Sequence, residues 1–168
     1  IKRMYYYLDV MAWISLTNGT SGRGLHYRSP EPGIHGLLWK SGYEWYCTKY
    51  NAIRYYWAGD PTRLEIRLFD TPCNPDQYVA GVALALILTM GRIRKKYWTK
   101  SELVKSVNAY IRLCSGKFDR VEREERRIRD KLADLLDLNY ELVHEISLRE
   151  RFDIESLIWD AFENPAWR

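Results

Sequence analysis

The alternation of apolar and polar positions changes character near Asn74. Before it, residues 4 to 16 read MYYYLDVMAWISL and place Tyr5, Leu8, Met11, Ala12 and Ser15 at near-helical spacing. That spacing predicts a helix, although the Tyr and Val content also suits a strand. NGTSGRG, residues 18 to 24, holds three glycines and predicts a loop. Short strands are then expected at Leu25 to Arg28, Gly36 to Lys40, Glu44 to Lys49 and Ala52 to Trp57, separated by the breakers EPG, SGY and AGDPT. Arg63, Glu65 and Arg67 alternate with Leu64, Ile66 and Leu68, so Arg63 to Phe69 is expected to be a strand with charges along one face.

From Asn74 onward the period becomes helical. Asn74 suits an N-cap, Pro75 the first helical position and Asp76 the positive end of the helix dipole, which predicts a helix to about Met90. A helix this apolar is expected to be buried against the strands. Thr99 and Glu102 have the spacing of a capping box for a helix towards Leu113, with Gly116 as its stop. Farther on, Ile128, Leu132, Leu135 and Leu136 share one helical face, and EREERR, residues 122 to 127, reads as the solvated face. Together these patterns predict one α+β domain over residues 1–168, with a mostly antiparallel sheet in residues 1–73 and helices in 74–168.

Composition narrows the functional classes only slightly. In 168 residues, 26 basic and 22 acidic side chains give a formal charge of +4, compatible with an anionic ligand but well below a nucleic-acid signature. Cys47, Cys73 and Cys114 have no zinc-like or disulfide-framework spacing, which points to a reducing, cytoplasmic setting. The longest apolar run, Val79 to Met90, is too short to cross a bilayer, so no membrane partner is expected. The chain opens on Ile1 without a signal-peptide pattern, as a piece of a longer polypeptide would.

The charged strand has two readings. In the first, Arg and Glu support one another across the wet face of a sheet. In the second, Glu65 holds a divalent cation while Arg67 neutralises a phosphoryl or carboxylate group, as phosphate-transfer chemistry requires. The segment LEIRLFDTPCNPDQYVAGVALAL resembles the late motif of carboxylate-amine ligases related to glutamate-cysteine ligase, and of the amidoligases. In these families a strand with an internal E-x-R leads through a turn into an apolar helix. The resemblance covers roughly Tyr55 to Met90. Upstream, TSGRGLHYR is similar to the amidoligase segment C-G-L-H-V-H, aligning Gly24, Leu25 and His26, with Arg28 at the second His position.

This resemblance implies a glutamine-synthetase-like fold in which ATP and Mg²⁺ activate a carboxylate for attack by an amine. It implies that Glu65 and His26 bind metal, that Arg67 and His26 serve catalysis, and that Arg67, Arg28 and Gly24 contact nucleotide. The partners implied are a small-molecule carboxylate and an amine. The chain departs from the pattern at Arg63, where the late motif has Thr, and at Arg23, where the upstream segment has Cys. It also lacks an E-x-E pair before His26, and Asp9 is the sole acid in residues 1 to 25. Either an upstream segment or another chain supplies those carboxylates, or the domain has lost catalysis.

Two other readings use the same residues. SGRGLH resembles the Ser-His motif of archaeo-eukaryotic primases, which pairs with a D-x-D element, but here Asp9 is followed by Met11 at the second acid position. Aromatic residues from Tyr43 to Trp57, interleaved with Lys40, Lys49 and Arg54, could stack nucleic-acid bases, although packing in a sheet explains them more economically. His35 and His144 have no acidic or cysteine partner at ligand spacing and read as structural. A non-catalytic structural or interaction module of a larger assembly accounts for the missing acids without any reaction.

Overall fold

The structure, a computed structural model, describes residues 2–15, 53–56, 63–66, 74–94, 97–114 and 121–168. Among them the architecture is helical. Seven helices run in the order α1 (Lys2–Tyr6), α2 (Leu8–Ser15), α3 (Pro75–Met90), α4 (Lys100–Cys114), α5 (Glu125–Leu138), α6 (Tyr140–Glu150) and α7 (Ile154–Glu163). Between α2 and α3, strands β1 (Ile53–Tyr56) and β2 (Arg63–Ile66) pair antiparallel. The expected α+β domain with a mostly antiparallel N-terminal sheet is therefore corrected: the described residues form a helical body, and their β-structure is this four-residue pair. The strands expected at 25–28, 36–40 and 44–49, and the Gly116 stop, lie outside the described residues.

The physical reason for the correction lies in α2. Every residue from Leu8 to Ser15 is buried, and a helix buried all round occupies the centre of a core instead of the flank of a sheet. It touches α3, α4, α5 and α7. Backbone bonds from Tyr7 N to Arg3 O at 3.1 Å and from Met11 N to Tyr7 O at 2.9 Å carry the chain from α1 into α2. The indole nitrogens of Trp13 and Trp167 then tie it to the C-terminus, donating to Phe162 O and Trp13 O respectively, each at 2.9 Å.

The capping chemistry legible in the sequence is realised. Asn74 accepts from Asp76 N at 2.9 Å with Pro75 opening α3. Thr99 N and Oγ1 both donate to Glu102 Oε2 at 2.8 Å, while Glu102 N donates to Thr99 Oγ1 at 3.3 Å, which completes the box at α4. Helix α3 ends where Arg3 donates to Leu88 O and Gly91 O, at 2.7 and 2.9 Å, satisfying carbonyls left open by the helix terminus. Gly91 is required there by space: a Cβ would stand 2.5 Å from Ile87 O and press on the Asn139 side chain.

Among the described residues, helix α3 packs chiefly on α7 and α2, where its apolar sequence suggested a sheet. Ala80, Ala83, Leu84, Ile87 and Leu88 are buried, whereas Tyr78, Val82, Leu86 and Met90 form an exposed stripe. Ile66 of β2 is partly buried against the same core.

Candidate functional site

The residues singled out by sequence are only partly within view. His26, Gly24, Arg28 and Arg67 lie outside the described residues. Glu65 lies on β2, at the register position directly opposite Arg54 of β1, and the flanking pairs are Tyr55 with Leu64 and Ile53 with Ile66. Of the segment bearing the family resemblance, residues 63–66 form β2 and Asn74 caps the apolar α3, and residues 67–73 lie outside the described residues.

A second constellation was missed from sequence, and it centres on Asp9. Placed on a wholly buried helix, its carboxylate must be paired, because burying an isolated charge costs far more than any local packing returns. Lys131 Nζ donates to Asp9 Oδ1 and Oδ2 at 3.1 and 3.0 Å. Arg127 donates to Oδ2 at 2.7 Å. Val10 N donates to Oδ1 at 3.0 Å. Ser106 Oγ lies 2.8 Å from both Asp9 Oδ1 and Tyr6 O, and it accepts from Asp9 N at 3.2 Å. One carboxylate therefore joins α2 to α4 and α5. Arg127 also donates to Glu124 at 2.6 Å, and Glu124 in turn pairs with Arg112, which extends the network outward.

Lys131 and Arg127 are one helical turn apart, so both reach the same side of α5. Burial lowers the Lys131 pKa even though Asp9 opposes the shift. Its third bond goes to Tyr6 O at 2.8 Å, and the ammonium lies 4.2 Å from the Tyr6 ring centroid. All three N–H donors are thus engaged, which leaves Lys131 without the free lone pair a nucleophile needs. Burial also acts against the charge of Arg127, but Asp9 and Glu124 outweigh it and raise the pKa. Tyr6 is pushed up by burial first and by Glu102 next, and it stacks on Trp98 at 5.5 Å. The cluster acts as a charged keystone of the fold.

Beside the cluster lies an open polar cleft of about 510 Å³, lined by Arg127 and Lys131 of the cluster, by Lys105, Arg123 and Arg126, and by Glu102, Asp130 and Asp134. EREERR is accordingly only in part a solvated face: Arg123 and Arg126 are exposed, whereas Glu124 and Arg127 turn inward to the Asp9 network.

No family model, curated protein or solved structure matches this chain. Its function is therefore argued from its own residues. Among the described residues, no group of three or more His, Cys, Asp or Glu side chains is placed to hold a metal ion, and no helix is long and apolar enough to cross a membrane. The signal that could have revealed the missed site was a lone acid inside an otherwise apolar helical run, matched to a Lys and an Arg one turn apart on a distant amphipathic helix.

Proposed function

We propose that the chain carries part of the site of an ATP- and Mg²⁺-dependent carboxylate-amine ligase, with the β2–α3 segment at its edge and the helical body as its support. The observation that carries this reading is the position of Glu65 on a paired strand that precedes the Asn74-capped α3 in the chain. The same order of elements accompanies the E-x-R motif that the sequence resembles. Helix α3 is fixed at its start by Asn74, along one side by the core and at its end by Arg3, so it is a firm element of the supporting body.

Glu65 would supply one protein ligand to Mg²⁺ in such a site, because this ion keeps several waters and takes further ligands from nucleotide phosphates. Bound there, Mg²⁺ would neutralise charge on the phosphoryl group passing to the substrate carboxylate. Glu65 orients that ion. Arg67 balances charge on the transferring group, His26 is assigned to the metal beside Glu65, and Arg28 and Gly24 are assigned to the nucleotide, on the strength of the upstream resemblance.

A specific observation favours a second reading, a non-catalytic module. Arg54 stands directly opposite Glu65, and opposite charges at such positions stabilise a strand pair. Calorimetric titration with Mg²⁺ and ATP, run on the wild-type protein and on Glu65→Gln beside their thermal melts, separates the two. The ligase reading predicts weakened Mg²⁺-dependent ATP binding at an unchanged melting temperature. Unchanged nucleotide behaviour with a lowered melting temperature assigns Glu65 to the strand pair instead.

A further inference from the structure

The exposed stripe of α3 is the strongest feature that the ligase reading leaves unused. Tyr78, Val82, Leu86 and Met90 are 55%, 37%, 41% and 70% exposed, and they recur every fourth residue. They form one wall of a groove of about 540 Å³, whose other side combines Leu142, Ile146 and Phe152 with charged residues of α6. Helix α3 carries no charge between Asp76 and its C-terminus at Met90, so the charged side chains that line the groove, Glu145, Arg149 and Glu150, all belong to α6.

We infer that this face binds a second copy of the chain, with α3 packed antiparallel on its counterpart about a two-fold axis. The spacing is self-complementary. An axis passing near Leu84 sets Val82 opposite the other copy's Leu86 and Tyr78 opposite its Met90, and each contact then occurs twice, as an isologous interface requires. The Tyr78 and Met90 pairing brings a thioether to an aromatic ring, a favourable contact.

The charges agree with this arrangement. Asp76 lies in the first turn of α3 and Arg92 just beyond its end, so an antiparallel pair brings the acidic end of one helix towards the basic end of the other. The helix dipoles are also opposed. Area points to a modest affinity. The exposed portions of the four stripe residues and Phe152 amount to roughly 500 Å² per copy, so two copies with their polar rims reach the lower end of stable interfaces. A dimer in exchange with monomer is the expected state.

Sedimentation velocity on the full chain at roughly 10 to 300 µM, bracketing the range for an interface of this size, tests the inference. The mass should rise from 20.0 kDa towards twice that value. Val82→Glu and Leu86→Lys should each remain monomeric with unchanged circular dichroism and melting temperature, because both positions are exposed. Mixing the two variants should restore the dimer, since Glu at position 82 of one copy then meets Lys at position 86 of the other. A wild-type chain monomeric throughout, a dimer indifferent to both substitutions, or variants whose mixture stays monomeric would each overturn the two-fold α3 interface. If either substitution instead lowers the melting temperature of a monomer, the stripe is covered by a segment of the same chain, and the inference fails.

Discussion

Replacing Asp9 by asparagine keeps the size of the side chain and removes its charge. Lys131, itself only 8% exposed, would then be left without its carboxylate, while Arg127 would keep Glu124. Breaking a buried pair by removing one partner costs about 3–5 kcal/mol, because the remaining charge stays buried and uncompensated. Two features place Asp9→Asn at the lower end of that range. The Arg127 side chain is 30% exposed, so solvent screens its share. An asparagine can also still accept from Val10 N or from Ser106 Oγ. The expected loss is about 3 kcal/mol, a large fraction of the ~5–15 kcal/mol stability of an ordinary domain. For a chain of this length that corresponds to a fall of roughly 6–12 °C in Tm. Urea unfolding followed by circular dichroism measures it, and a cycle with Lys131→Met assigns the cause. Once Lys131 is gone, the cost of Asp9→Asn should fall by more than about 1 kcal/mol, since the two groups share one interaction. A loss below ~1 kcal/mol for Asp9→Asn alone, or strictly additive losses, would refute the keystone role.

Three smaller perturbations follow from the helix ends. Gly91→Ala should lower stability by about 1–3 kcal/mol in urea unfolding, because the added methyl meets Ile87 O and the Asn139 amide that holds Arg92 N at 2.6 Å. Arg151 ends α6 with a φ of 58°, in the left-handed region that favours glycine, so Arg151→Gly should raise the thermal midpoint through a gain of about 0.5–1 kcal/mol. Acid should weaken the side-chain contacts at the two ends of α7. The pKa of Asp153 is lowered by its bonds to the Ser156 N–H and hydroxyl, and that of Glu163 by its bond to Arg129. Carboxyls with depressed folded values contribute stability that is present above their unfolded values of 3.8 and 4.5 and is lost as pH falls through the folded ones. Melts from pH 7 to pH 2 should therefore show Asp153→Asn and Glu163→Gln converging with wild type at the acid end. A gap that widens towards acid would contradict the assignment.

The parts of the fold that were legible in the sequence are those set by local chemistry. The Asn74 cap, the Thr99 and Glu102 box and the buried face containing Ile128, Leu132, Leu135 and Leu136 each follow from residues within a few positions of one another. What α3 packs against was not legible, because an apolar helix suits a sheet and a helical core equally well, and the choice depends on the distant partners α2 and α7. The role of Asp9 was hidden for the same reason. Its partners Ser106, Arg127 and Lys131 lie a hundred or so positions away, and on α5 the two cations look like ordinary members of a solvated charge run. The Glu65 strand was legible through alternation, and the register opposite Arg54 adds the one detail that alternation could not supply.

ADP release in the presence of Mg²⁺, measured on the protein with a panel of carboxylates and amines and with template-dependent nucleotide incorporation run in parallel, tests the central claim most directly. The account predicts ATP turnover only when a carboxylate and an amine are supplied together, because the acyl phosphate must form and then be captured. It also predicts that Arg67→Ala slows that turnover by roughly 100-fold, the scale of losing one electrostatic donor to the transition state, at an unchanged Tm. Nucleotide incorporation that requires a template and is abolished by His26→Ala, or silence in both assays, would contradict it.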